Sequence, residues 1–215
     1  MSKLVLVLGT RNPKKRRELE RLLRGLPLDL RTLEDFPDSL TVDETGNTFQ
    51  ENARLKACVQ ARQLEQWVLG EDSGLCVTAL DGAPGVYSAR YAGPGATDSE
   101  NNRRLVEALA DVPVGQRFAW YTCHMTLSDP SGIPLIDVAG SCRGRIVTEP
   151  RGSAGFGYDP WFELPEYHQT FAELGDTVKS VLSHRARAMR KFLDALAGKL
   201  AGLESRSCPA GSATD

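Results

Sequence analysis

Trp67-Val68-Leu69-Gly70-Glu71-Asp72-Ser73-Gly74-Leu75-Cys76-Val77 sets two adjacent carboxylates, a hydroxyl and a glycine between two apolar runs, each short enough for a strand. Charge is costly where apolar chain enters and leaves a core, unless a cation or another partner compensates it. Two readings stay open on these residues alone. A strand ends here and opens into a site, its carboxylates directed at a divalent metal or an attacking water. Alternatively, a tight turn carries acids that face solvent.

Upstream, the run from Lys3 to Gly9 is rich in Val and Leu, which suits a strand buried on both faces. It breaks at Gly9-Thr10-Arg11-Asn12-Pro13, and a helix is predicted from Pro13, with Leu19, Leu22 and Leu23 on one side. Proline fits the first helical position, where its missing N–H would be unpaired anyway. The loop then presents Thr10, Arg11 and Asn12 at a helix N-terminus, which favours an anion, and Lys14 and Lys15 add charge beside it. The design resembles a P-loop but lacks the second glycine and the Lys-Ser/Thr pair. The remaining basic residues as far as Arg24 read mostly as a solvated face, with Lys15 and Arg11 placed to reach a phosphate. No aromatic interleaving supports nucleic-acid binding there.

Downstream, Leu28 to Leu33 is a second strand, and Thr48-Phe49-Gln50-Glu51 is a capping box that starts a helix. Phe49, Ala53, Ala57, Ala61 and Leu64 form its buried stripe. Glu51, Asn52 and Lys56 flank that stripe, where a cleft can use them. Asp43 and Glu44, just ahead, are either solvated acids or further oxygen ligands. Thr97-Asp98-Ser99-Glu100 is another capping box, and Phe118–Leu127 and Ile133–Val147 are predicted strands of a hairpin around Asp129-Pro130-Ser131-Gly132. His124, isolated on the first of them, reads as structural. In Gly152-Ser153-Ala154-Gly155-Phe156-Gly157-Tyr158-Asp159-Pro160, glycines let backbone approach a ligand closely and an aromatic can stack on a base; an ordinary flexible connection is the other reading. Ser183 is a good N-cap for a last helix with Phe192, Leu193, Leu196 and Leu200 as its stripe. His184 and Arg185 in its first turn run against the dipole preference, a local conflict that points to function.

A length of 215 residues, 41% hydrophobic and 25% charged, fits one globular domain, expected over residues 1–201 with a disordered tail at 202–215. A net charge of -2 gives no global attraction to nucleic acid or membrane. The cysteines are five and widely spaced without a C-x-x-C pair, which argues against a disulfide framework or a zinc site. No stretch is long enough to span a bilayer, and a cytoplasmic location is expected.

Taken in order, several of these segments resemble the inosine triphosphatase-like family of purine nucleoside triphosphate pyrophosphatases. The pieces are Thr10-x-Asn12-x-x-Lys15 with Glu18-Leu19, Glu44-Thr45-Gly46-x-Thr48-Phe49-x-Glu51-Asn52-Ala53 with Lys56, and Glu71-Asp72-Ser73-Gly74-Leu75. Gly82 to Gly93, Gly155-Phe156-Gly157-Tyr158-Asp159-Pro160, Phe171-Ala172-Glu173-Leu174, Lys179 and Ser183-His184-Arg185 complete the set. The resemblance implies an elongated α/β fold, a twisted mixed sheet with flanking helices and two lobes around a central cleft, commonly as a homodimer. It implies Mg²⁺-dependent hydrolysis of ITP, dITP and XTP to the monophosphate and pyrophosphate. By the same resemblance, Thr10 to Lys15, Lys56 and Lys179 hold the triphosphate, and Asp72 is the general base. Asp72 and Asp43 are the expected metal contacts, with Glu44 and Glu71 able to share that work. Ser73 touches substrate, Phe156, Gly157, Tyr158 and Asp159 flank base and sugar, and His184 and Arg185 read the purine. Arg11 stands where many relatives have glycine, and Glu71 where many have Asp. A related pyrophosphatase with another base preference is the alternative, and a non-catalytic nucleotide-binding protein is the rival from another class.

Overall fold

The computed structural model describes residues 3–206. Seven strands make one mixed sheet in the order β2-β1-β3-β4-β5-β6-β7, where β1 is Leu4–Leu8, β2 Leu28–Thr32, β3 Trp67–Val77, β4 Phe118–Ser128, β5 Pro134–Ile146, β6 Phe162–Leu164 and β7 Gln169–Thr170. The first three are parallel, because α1 (Pro13–Leu22) and α2 (Phe49–Leu64) make the crossovers between them; the remainder run antiparallel. Helices flank the sheet, and Leu6, Val7 and Leu8 are buried, as the unbroken apolar run of β1 requires.

β3 does not end at its acidic pair. It runs through it, with Glu71 opposite Met125 and Asp72 opposite His124 on β4. The glycines beside the acids mark close approaches rather than a turn. A Cβ on Gly70 would lie 2.3 Å from Ala53 O, and one on Gly74 would lie 2.4 Å from Ser88 Oγ. Helix α2 can rest on the sheet there because its buried stripe is Ala53, Ala57 and Ala61. The opening expected from the sequence does exist, on the other edge. β1 pairs with β3 only as far as Leu8–Leu69, and the chain then leaves through Gly9. The edge of β3 bearing Glu71 to Ser73 is left beside the carboxyl end of β1, the usual place for a site in an open sheet.

Three buried clusters hold the sheet, the smallest formed by Val7, Leu33, Ala61 and Val68. One of the larger two gathers Leu6, Leu8, Leu19, Leu69, Met125 and Phe192; the other gathers Leu75, Leu105, Tyr121, Ile146, Phe162 and Phe171. The capping boxes at Thr48 and Thr97 form as expected, the second opening α3 (Asp98–Ala108). The sequence reading did not foresee α4 (Phe171–Leu182), which is broken at Gly175 (φ 74°, ψ 177°) and therefore lacks an uninterrupted helical pattern. Ser183 Oγ accepts from Ala186 N at 3.2 Å and opens α5 (His184–Arg206). That helix passes the expected start of the tail at Gly202; residues 207–215 lie outside the described residues. The four described cysteines are free thiols, and no helix among the described residues is long and apolar enough to cross a membrane.

Candidate active site

A cavity of about 360 Å³ opens at the carboxyl end of β1 and the exposed edge of β3. Its first wall is the turn into α1. Asn12 Oδ1 accepts from Lys14 N at 2.9 Å and Lys15 N at 3.2 Å, so this side chain is spent on capping the helix. Arg11, although it lines the cavity, is pinned by its guanidinium to Ser39 Oγ at 2.9 Å and to the carbonyls of Ser39 and Leu40 at 3.0 and 3.3 Å. It braces the next loop.

Successive side chains of a strand face opposite ways, and β3 uses this to separate its two acids. Glu71 and Ser73 face α1 and α5; Asp72 faces α2. Glu71 is fully buried between Lys15 Nζ at 3.1 Å and Arg185 Nη2 at 3.0 Å. Arg185, only 1% exposed, also donates to Ser73 Oγ at 2.8 Å and pairs with Glu18. Glu18 in turn meets Lys179 Nζ at 2.7 Å, and Lys179 reaches Asp159 at 2.6 Å. Charge therefore alternates along Lys15, Glu71, Arg185, Glu18, Lys179 and Asp159. Burial pushes the Glu71 carboxyl up, but Arg185, Lys15 and Lys56 outweigh it and hold this group well below the usual carboxylate range. Glu18 is lowered in the same way by Arg185 and Lys179 against its burial.

Asp72 is set differently. Its Oδ1 lies 2.8 Å from Lys56 Nζ, and Asn52 Nδ2 donates to Oδ2 at 3.3 Å. Asn52 is oriented by Gly46 N, which donates to its Oδ1 at 2.8 Å. Burial raises the Asp72 carboxyl, Lys15 and Lys56 pull it down by less, and Glu44 adds to the upward push. It is a buried acid that lines the cavity and contacts one ammonium, whereas Glu71 is caged between Lys15 and Arg185.

The opposite wall is the glycine loop. Asp159 Oδ2 accepts from Phe156 N at 2.8 Å and from Lys179, whose ammonium lies 4.4 Å from the Phe156 ring centroid. Tyr158 donates from its hydroxyl to Ser88 O at 2.8 Å. His184 stacks on Tyr121 with centroids 4.6 Å apart, and its Nδ1 has no partner among the described residues. Burial first, then Arg185 and Lys179, hold the His184 pKa well below its ordinary value. The unfolded chain therefore takes up this proton more readily, and stability should fall as pH drops below about 6.5. Wild type should lose about 1 kcal/mol more than His184→Gln between pH 7.5 and 5.5, read by urea unfolding.

The cavity gathers Thr10, Arg11, Asn12, Lys15, Lys56, Asp72, Ser73, Phe156, Gly157, Tyr158, Asp159, Lys179, His184 and Arg185. Three expected residues stand apart from it. Pro13 serves as the first residue of α1. Lys14 turns to Asp98 at 2.5 Å. Asp43, expected beside Asp72 as a metal contact, is exposed and does not line the cavity, whereas its neighbour Glu44 does, 3.3 Å from Lys56 Nζ. The alternation of a loop decides this, and one residue of slip is invisible in sequence. The Glu71 side chain is caged between Lys15 and Arg185. No group of three or more His, Cys, Asp and Glu gathers among the described residues. Glu44 and Asp72 sharing one ammonium still suit Mg²⁺, which is commonly held by one or two carboxylates plus substrate phosphates. From sequence, Asn52 is placed only beside the buried stripe of α2, Glu18 only behind the Thr10–Lys15 motif and Asp98 only within a capping box. Nothing local singles out Glu18, because Glu20 shares the same basic segment.

Against this geometry, a scan of protein families matches residues 6–195 to the Ham1 family. The chain belongs to the Ham1 family. It is 54% identical over 191 residues to the dITP/XTP pyrophosphatase of Rhodopirellula baltica, covering 89% of this chain and 92% of that protein. The dITP/XTP pyrophosphatase of Geobacter sulfurreducens is 47% identical, with 89% and 96% covered. Among solved structures, a HAM1 protein from Coxiella burnetii superposes with a TM-score of 0.83 at 39% identity, covering 91% of this chain and 99% of that one. The open mixed sheet with flanking helices is thus a Ham1 fold, and its polar residues gather at the carboxyl end of β1.

Proposed function

We propose that this Ham1 protein hydrolyses the triphosphates of deaminated purines, dITP, ITP and XTP, to the monophosphate and pyrophosphate with Mg²⁺. The observation that carries the reading is Asp72: a buried carboxylate with a raised pKa that lines one cavity together with Lys15, Lys56 and Lys179. The relatives named above, dITP/XTP pyrophosphatases by name, support it.

Lys15, Lys56 and Lys179 offset the charge of a triphosphate. Asp72 accepts a proton from the attacking water, for which a carboxyl nearer neutrality is better matched than one of about 3.9. Lys56 holds the Asp72 carboxylate in place and steadies its ionised form. Glu44 and Asp72 would hold Mg²⁺, which would supply neutralisation of the growing phosphate charge. Phe156 offers a face for the base, and hypoxanthine and xanthine present acceptors at O6 and N7. Donors from His184 or loop N–H groups accept these, whereas the 6-amino group of adenine would face donor against donor. Arg185 is committed to Glu18, Glu71 and Ser73, so its part is to set Ser73 and the base wall rather than to stand free.

The test is product identity. Incubation with dITP should give equal amounts of dIMP and pyrophosphate with Mg²⁺ and little of either with EDTA. Formation of dIDP and orthophosphate would refute the assignment of the bond cleaved.

A further inference from the structure

Lys14, which the sequence aims at phosphate, lies 2.5 Å from Asp98 Oδ2 and 5.7 Å from the centroid of the Phe156 ring. The same oxygen of Asp98 accepts from Gly157 N at 2.9 Å. One turn along α3, Asn102 Nδ2 donates to Gly157 O at 3.0 Å. Both peptide groups of Gly157 are thus held from α3, at a residue whose φ of 62° leaves its conformation open to wide choice without such a hold. The first turn of α1, the start of α3 and the glycine loop meet at one carboxylate oxygen. The Phe156 ring that results covers Lys179, and both line the cavity.

An acid at the first position of a helix has an ordinary structural use, favouring the dipole. The Lys14–Asp98 pair is also 42% and 46% exposed, so it adds little to stability. What that use does not require is the second bond, to a loop that is remote in sequence and forms the opposite wall of the cavity. We propose that Asp98 is a positioning residue of the nucleotide site. It ties the phosphate-binding end of the cavity to the Phe156–Gly157 wall and so fixes the width available to a base and ribose. This rests on the nucleotide-hydrolase reading above. Asp72 is untouched by Asp98, so loss of Asp98 loosens binding and leaves the chemical step in place.

Asp98→Ala should raise KM for dITP about tenfold with kcat within about twofold of wild type. Asp98→Asn keeps an acceptor for Gly157 N but gives up the charge for Lys14, and should raise KM about threefold. Amide exchange of Gly157, followed by NMR, should speed up in Asp98→Ala and stay protected in Asp98→Asn. A helix-start role alone would lower the melting temperature of both variants and leave KM and Gly157 exchange as they were; that result overturns the proposal. So does a fall in kcat at constant KM. If Asp98→Ala does not fold, Asp98→Asn decides through its KM. If wild type does not cleave dITP, the functional reading fails, and unchanged exchange of Gly157 in Asp98→Ala would separately dismiss the hold on the loop.

Discussion

Asp72→Asn is expected to lower kcat for dITP about 10³-fold, the usual contribution of a placed general base. The amide has the shape of the carboxylate and still accepts from Lys56, yet it cannot take a proton from water. Its effect on folding should be small. Burial raises the Asp72 pKa, so protonation is favoured in the folded state. The stability this gives is full below the unfolded value of about 3.9 and is lost as pH rises through the folded value. At neutral pH the ionised carboxylate is a cost that the amide avoids, which offsets its poorer match to the Asn52 amide. A melting temperature close to wild type with turnover lost would isolate the chemical role. Near wild-type turnover in a folded variant would remove Asp72 from it. The acid limb of the wild-type pH profile should lie above pH 3.9, and Lys56→Met should move it higher by removing the ammonium that favours ionisation.

Glu71→Gln should be the opposite kind of variant, with damage in the fold first. Glu71 sits between Lys15 and Arg185, and its removal as a charge leaves a buried guanidinium with Glu18 as its one anionic partner among the described residues. Breaking such a pair costs about 3–5 kcal/mol, a fall in melting temperature of roughly 10 °C for a chain of this size. Because the Glu71 pKa is depressed, its stabilisation is present above about pH 4.3 and is lost as pH falls through the folded value. The difference in melting temperature between wild type and variant should therefore shrink on acidification. A variant that melts with wild type at pH 7 would mean that the cage contributes little. Replacing the pair together, Glu71→Leu with Arg185→Met, should recover part of the loss, because well-packed apolar groups often replace buried ion pairs without penalty.

The contrast between these neighbours explains what could and could not be read from the chain. The capping boxes at Thr48 and Thr97, the apolar run of β1 and the β4–β5 hairpin are local signals, and the structure keeps them. The acids in β3 looked like a strand end because two charges within an apolar run lack local compensation. Their partners come from far away: Arg185 is 114 residues from Glu71, and Lys56 is 16 from Asp72. Nothing in the stretch itself announces them. The same distance hides Glu18, which faces Arg185 across 167 residues. Lys14 shows the converse, a cation that sequence places beside phosphate and tertiary structure gives to Asp98. Gathering the cavity residues depended on an ordered set of motifs, while the direction of individual side chains depended on packing.

Selective hydrolysis of deaminated purine triphosphates is decided by pyrophosphate release across dITP, ITP, XTP, dATP, dGTP and dUTP. Release with Mg²⁺ that is strongest for dITP, ITP and XTP and weak for dATP is the expected result. Equal release from dATP, a preference for dUTP, or no release from any of them would contradict it.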